Sequence, residues 1–231
     1  MTLKTLFTAV GRLEKRSGGP GNSHPVIVLG GKDYMVDLQE MVVWTSLNWR
    51  IARKEEIGEL YEKAILDYGF QADRTWNACV DRLLIRGLLV SGSGVTDYDA
   101  LYDLLSTMYI IPATGSFLLR LFSFLRLVLV KEVPLAMARR LLHGDKRTVG
   151  EKQVMRLAGQ TLLSTAEIIK CVEKGIHRLP SEESVLECLY NDRDTTSDNI
   201  AYLVKASSNS KPVVLAVANL YLRQQIIFER I

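Results

Sequence analysis

The sequence predicts a mainly α fold with a few small β-hairpins, and three observations point there. Apolar residues recur at helical spacing, as in Ile57, Leu60, Tyr61, Ala64 and Ile65, and again in Trp76, Val80, Leu83 and Leu84. Glycines that end helices, Gly69 and Gly87, stand where those stretches stop. Runs suited to strands are short and are bounded by Gly, Pro and Ser. With 231 residues, 48% of them hydrophobic and 24% charged, the chain is of ordinary globular composition and can bury one or two cores.

In chain order, Met1 to Arg16 places Leu3, Leu6, Phe7, Val10 and Leu13 on one side of a short helix. SGGPGNSHP breaks the pattern, and PVIVL, GGK and DYMVD predict a hairpin turning at Gly30 and Gly31. That Gly-Gly-Lys turn lacks the GxxxxGK[ST] spacing of a phosphate loop. Three helices follow. DLQEMVVWTSLNW has Leu38, Met41, Val42, Leu47 and Trp49 spaced for one buried face; KEEIGELYEKAILDYG is the second; DRTWNACVDRLLIRG is the third, with Asp73 as its N-cap. LLVSGSGVT then offers a strand, a flexible turn and a return strand. TDYDALYDLLSTMYIIP is a further helix, capped by Thr96 or Asp97, whose acids complement the helix dipole.

The middle of the chain reads as all-helical. TGSFLLRLFSFLRLVLVKEV is its most apolar stretch, but Arg120 and Arg126 interrupt it short of the ~20 residues that cross a bilayer. LAMARRLLHG follows, then EKQVMRLAGQTLLSTAEIIKCVEKG as one long helix or a broken pair. SEESVLECLY, TTSDNIAYLVKAS and SKPVVLAVANLYL close the chain as three helices leading into a strand, with Ser210 as a cap and Pro212 in a first turn.

From Leu38 to Val90 the order is helix, break, helix, turn, helix, strand and Gly/Ser turn. It resembles the winged helix-turn-helix family, with Arg74 to Arg86 as recognition helix and Ser91 to Gly94 as wing. The resemblance covers Asp37 to Val95, and more loosely Glu182 to Ile231. In that second stretch Ile200 and Leu203 match Ile57 and Leu60. Ala216, Val217, Ala218, Asn219, Leu222 and IIF match Ala78, Cys79, Val80, Asp81, Leu84 and LLV. The expected organisation is an N-terminal winged helix-turn-helix unit over 1–112, a helical middle region over 113–180 and a second winged-helix-like unit over 181–231.

The resemblance implies sequence-specific binding of double-stranded DNA, with transcriptional regulation as the leading role and a homodimer as the form. Arg74, Thr75, Asn77, Ala78 and Arg82 would face the major groove, where Arg reads guanine and Asn reads adenine. Arg50, Arg53 and Lys54 would hold backbone phosphates, joined by Ser91 and Ser93 of the wing and Lys211 of the second unit. Two other readings stay open. Replication or plasmid-maintenance initiators also carry tandem winged helices, and winged helices serve as protein–protein scaffolds, which suits a neutral first unit and an apolar second one.

Charge neither demands nor excludes DNA: the net value is +3, although Ala113 to Pro180 holds 12 Lys/Arg against 5 Asp/Glu. Arg139, Arg140, Lys146, Arg147 and Lys152 there suit either a DNA backbone or solvent. Cys79, Cys171 and Cys188 lack metal or redox spacing and fit a reducing cytoplasm. His24, His143 and His177 lie far apart, with no HExxH, GxSxG or Walker pattern, so the sequence predicts no enzyme, no cofactor and no metal site. TLFTAVGRLEKR is too short and too charged for a signal peptide, and no membrane association is expected.

Overall fold

The computed structural model describes residues 2–17, 23–69, 71–113, 146–192 and 194–230. Strand β1 (Lys4–Ala9) decides the architecture, because it lies antiparallel between β5 (Ala52–Arg53) and β6 (Leu89–Gly94). β2 (Arg12–Ser17), β3 (Ser23–Leu29) and β4 (Lys32–Tyr34) form a second antiparallel sheet that turns at Gly30 and Gly31. In a third sheet β7 (Tyr109–Pro112) lies between β8 (Leu163–Ser164) and β9 (Ile226–Glu229).

With 47% helix, 20% strand and three small antiparallel sheets among the described residues, the fold is mixed α/β, which corrects the mainly α expectation. The largest error lies at the N-terminus, read as a helix but folded as β1 and β2. Phe7, Thr8, Ala9 and Val10 are all buried, as in a strand covered on both faces, whereas Leu3 and Leu13 are exposed. Such a run has no alternation and mimics helical spacing. Gly11 separates the two strands at φ +84°, where an added Cβ would stand 2.6 Å from the Val28 carbonyl oxygen. Only glycine suits that corner.

The helices follow the apolar pattern more closely. They are α1 (Leu38–Leu47), α2 (Lys54–Tyr68), α3 (Trp76–Ile85), α4 (Asp97–Leu105), α5 (Val149–Ala158), α6 (Thr165–Glu173), α7 (Glu182–Leu189), α8 (Ile200–Leu203) and α9 (Ser210–Leu222). Gly69 and Gly87 take left-handed conformations just past α2 and α3, as their positions suggest. The long stretch from Glu151 is the broken pair, split at β8 with Ser164 capping α6. The expected second closing helix is only the four residues of α8. No helix among the described residues is long and apolar enough to cross a membrane. The expected helices within residues 114–145, with His143, Arg139 and Arg140, lie outside the described residues.

Two topologically equivalent units emerge. In each, a central strand pairs with a short strand that leads into a helix and with the strand that ends the unit. Asp37 to Ile57 corresponds to Thr148 to Ile168 without insertion, so the capping boxes Asp37/Glu40 and Thr148/Glu151 fall at the same place. The strand registers equate Leu89 with Ile226, which places Leu83 opposite Leu220, Arg86 opposite Arg223 and Gly87 opposite Gln224. This register is one residue from the match made on sequence, and the counterpart of α2 is α6 and not α8. The equivalence extends to charge: Glu40 and Glu151, each 1% exposed, are held by Arg86 and Arg223, which occupy the C-caps of α3 and α9.

SGSG is not a wing. It is part of β6, paired with β1 from Leu89 to Gly94, and the chain enters α4 directly. The glycines are there for close approach: a Cβ on Gly92 would lie 2.1 Å from the Leu104 backbone nitrogen, and one on Gly94 2.4 Å from that of Ala100.

The units share one core, and Tyr221 links them. Its hydroxyl accepts the Trp49 N–H at 2.9 Å, donates to the Ala9 carbonyl at 3.0 Å and lies 2.9 Å from Thr8 Oγ1. Burial pushes its pKa up to about 12. Tyr221→Phe leaves the part-buried Trp49 N–H without this acceptor, so urea unfolding should show a loss of about 1–3 kcal/mol in one transition.

Candidate functional site

α3 carries the residues expected to read a groove. Its cap is Thr75, whose side chain accepts the Ala78 N–H, and not Asp73, which pairs with the Gln39 amide. Cys79, Val80 and Leu83 are buried, and Trp76 and Leu84 pack partly buried against the core. Asn77, Asp81, Arg82 and Ile85 are exposed, and Ala78 is half-buried. Ile85 is 85% exposed, far beyond what a helix end needs.

The arginines are largely engaged. Glu40 accepts Arg82 Nε at 2.5 Å and Arg86 Nη1 at 3.0 Å. Arg74 Nη2 pairs with Asp37 at 2.7 Å, while its Nη1 has no hydrogen-bond partner and lies 3.9 Å from Glu40. Arg86 also bonds the Met35 carbonyl and lies over the Tyr34 ring. Three guanidinium groups thus converge on two carboxylates at the start of α1. Beneath them the Gln39 carbonyl oxygen accepts Tyr61 Oη at 2.9 Å and the Arg74 N–H at 3.1 Å, and burial raises the Tyr61 pKa to about 12.

Asp37 caps α1 through the Glu40 N–H at 2.9 Å. Burial alone would raise its pKa, but that N–H and the Arg74 guanidinium outweigh burial and hold the carboxyl below the usual range. Its contribution to stability is therefore complete above the unfolded value of about 3.9 and is lost as pH falls through the folded one. Asp37→Asn should lower the urea midpoint at pH 7, and the gap to the parent should close as pH falls through the lowered pKa of the folded state.

The other expected contacts do not gather with α3. Arg53 pairs with Asp97 at 3.0 Å. Ser93 Oγ lies 3.0 Å from Thr5 Oγ1, and its N–H donates to Asp103. Ser91 is exposed on the same strand. Lys211 stands 5.9 Å above the Tyr98 ring. Asp97 and Asp99 serve α4 and its neighbours: Asp97 pairs with Lys4, and Asp99 completes a capping box with Thr96.

The outward surface of α2 and α3 is acidic and apolar. Glu55, Glu59, Glu62, Asp67, Asp73 and Asp81 are exposed, as are Leu66, Tyr68 and Ile85. Lys54 and Lys63 are its cations without an ion pair among the described residues. Sequence reasoning missed Glu40, Arg86 and Ile85 as parts of this site. The signal for Glu40 was present in DLQE, a carboxylate three residues after a capping Asp. No protein-family model, curated protein sequence or solved structure matches this chain.

Proposed function

We propose that this chain works as a binding module whose first unit presents the outer face of α3 to a protein partner, and that it is not an enzyme. The observation that carries the reading is the charge of that face. Phosphate binding needs free cations, yet Arg74, Arg82 and Arg86 share the carboxylates of Asp37 and Glu40, which leaves the cluster one net positive charge, and Asp73 and Asp81 are exposed beside them in the chain. Exposed Ile85, with exposed Asp73 and Asp81, suits a partner surface that is basic and apolar. α9, the counterpart of α3, is buried along most of its length and supports the fold.

A second reading, double-stranded DNA binding with a regulatory role in the cytoplasm, is favoured by one feature. Asn77 and Arg82 stand exposed on one helix, and Arg50, Lys54 and Lys63 carry no ion pair among the described residues. Fluorescence anisotropy with duplexes from upstream of the gene, repeated across salt concentrations, separates the two. The protein-partner reading predicts weak binding to every duplex, unchanged in Asn77→Ala and Arg82→Ala. Submicromolar, salt-steep binding to one duplex, lost in either variant, establishes the DNA reading instead.

A further inference from the structure

Among the described residues, two that are not glycine hold left-handed backbone: Trp49 at φ 57° and Gln224 at φ 58°. One comes from each unit, and both line the same cleft, of about 480 Å³. Such backbone disfavours a side chain, and residues of this kind gather at ligand sites. The position equivalent to Gln224 in the first unit is Gly87, at φ 71°, where the turn carries no side chain. The turn thus works with glycine, so the glutamine side chain itself calls for an explanation.

Trp49 is fixed at both ends, its N–H on Tyr221 Oη at 2.9 Å and its indole Nε1 on the Ile226 carbonyl at 3.3 Å. Tyr68, Arg50, Lys63 and Asp67 complete the walls that matter chemically. Arg50 and Lys63 have no ion pair among the described residues, and with Asp67 they leave the cleft one positive charge in excess. Two aromatic side chains, two unengaged cations and an amide on a strained backbone line this open, predominantly polar cleft, a set able to stack a ring and orient a charged group.

We infer that this cleft binds a small planar anion, an aromatic ring bearing one carboxylate or phosphate. Trp49 and Tyr68 supply faces for the ring, Arg50 and Lys63 meet the anionic group, and the Gln224 amide offers a donor and an acceptor. The cleft includes no residue of α3, although Lys63, Asp67 and Tyr68 also belong to the outward surface of α2, and calorimetry with small probes reads it independently of what α3 meets.

Isothermal titration calorimetry on the full chain tests it with four probes: benzoate and phenyl phosphate (ring and charge), benzyl alcohol (ring alone) and inorganic phosphate (charge alone). Benzoate or phenyl phosphate should bind with a Kd of about 1 mM or tighter, at least about tenfold tighter than either control. Arg50→Ala and Lys63→Ala, both exposed and expected to fold normally, should each weaken that binding about tenfold. Gln224→Gly should raise Tm by a few degrees through relief of the left-handed strain, and weaken binding at least about threefold. No heat from any probe at 10 mM, equal binding of benzoate and benzyl alcohol, or full affinity in Arg50→Ala, Lys63→Ala and Gln224→Gly overturns the assignment.

Discussion

Glu40→Ala should lower the unfolding free energy by about 3 kcal/mol, the low end of what removing one member of a buried ion pair costs. The carboxylate is 1% exposed, whereas its partners Arg82 and Arg86 are 54% and 27% exposed, so water reaches the arginines once it is gone. The loss includes the reciprocal half of the capping box, in which Glu40 accepts the Asp37 N–H at 3.3 Å. Glu151→Ala in the second unit is the internal comparison. It removes a contact to Arg223 at 3.4 Å and an equivalent cap, and should cost less, about 2 kcal/mol. Chemical denaturation of both variants and of Glu40→Gln measures the difference. A Glu40→Ala loss below about 1 kcal/mol would show that the arginine cluster is held by something else.

Gly92→Ala is expected to cost about 3 kcal/mol or more, because the new methyl meets backbone and not a side chain able to turn away. Its Cβ would lie 2.1 Å from the Leu104 nitrogen and 2.5 Å from both the Ala100 carbonyl oxygen and the Leu104 Cα, so α4 must move off β6. Ser91→Ala, exposed on the same strand, supplies the control and should stay within about 0.5 kcal/mol of the parent. Comparable stability of the two variants would mean that α4 does not seat on β6 as described.

The sequence made local structure legible where a local cause set it. Gly69 and Gly87 end their helices, the Gly30–Gly31 turn closes its hairpin, and Thr96 caps α4. What was hidden depends on partners distant in sequence. β1 reads as a helix because both of its neighbours, Ala52–Arg53 and Leu89–Gly94, lie more than forty residues away. SGSG reads as a flexible turn because the need for small residues comes from α4. Asp73 reads as a cap, but Gln39 draws it away and leaves Thr75 in place. The candidate site was half visible: the exposed residues of α3 were legible from periodicity, but not the carboxylates of α1 that engage its arginines. Those carboxylates give the arginines a structural role that periodicity does not show.

The α3 face is tested most directly by photocrosslinking in the cells that make the protein, with p-benzoylphenylalanine placed at Asn77 and, as a control, at exposed Leu186 on α7. A protein partner predicts one discrete adduct from Asn77, absent from Leu186, resistant to nuclease and lost when Ile85→Glu is added. Nuclease-sensitive adducts from Asn77, or the same adducts from both positions, would contradict it.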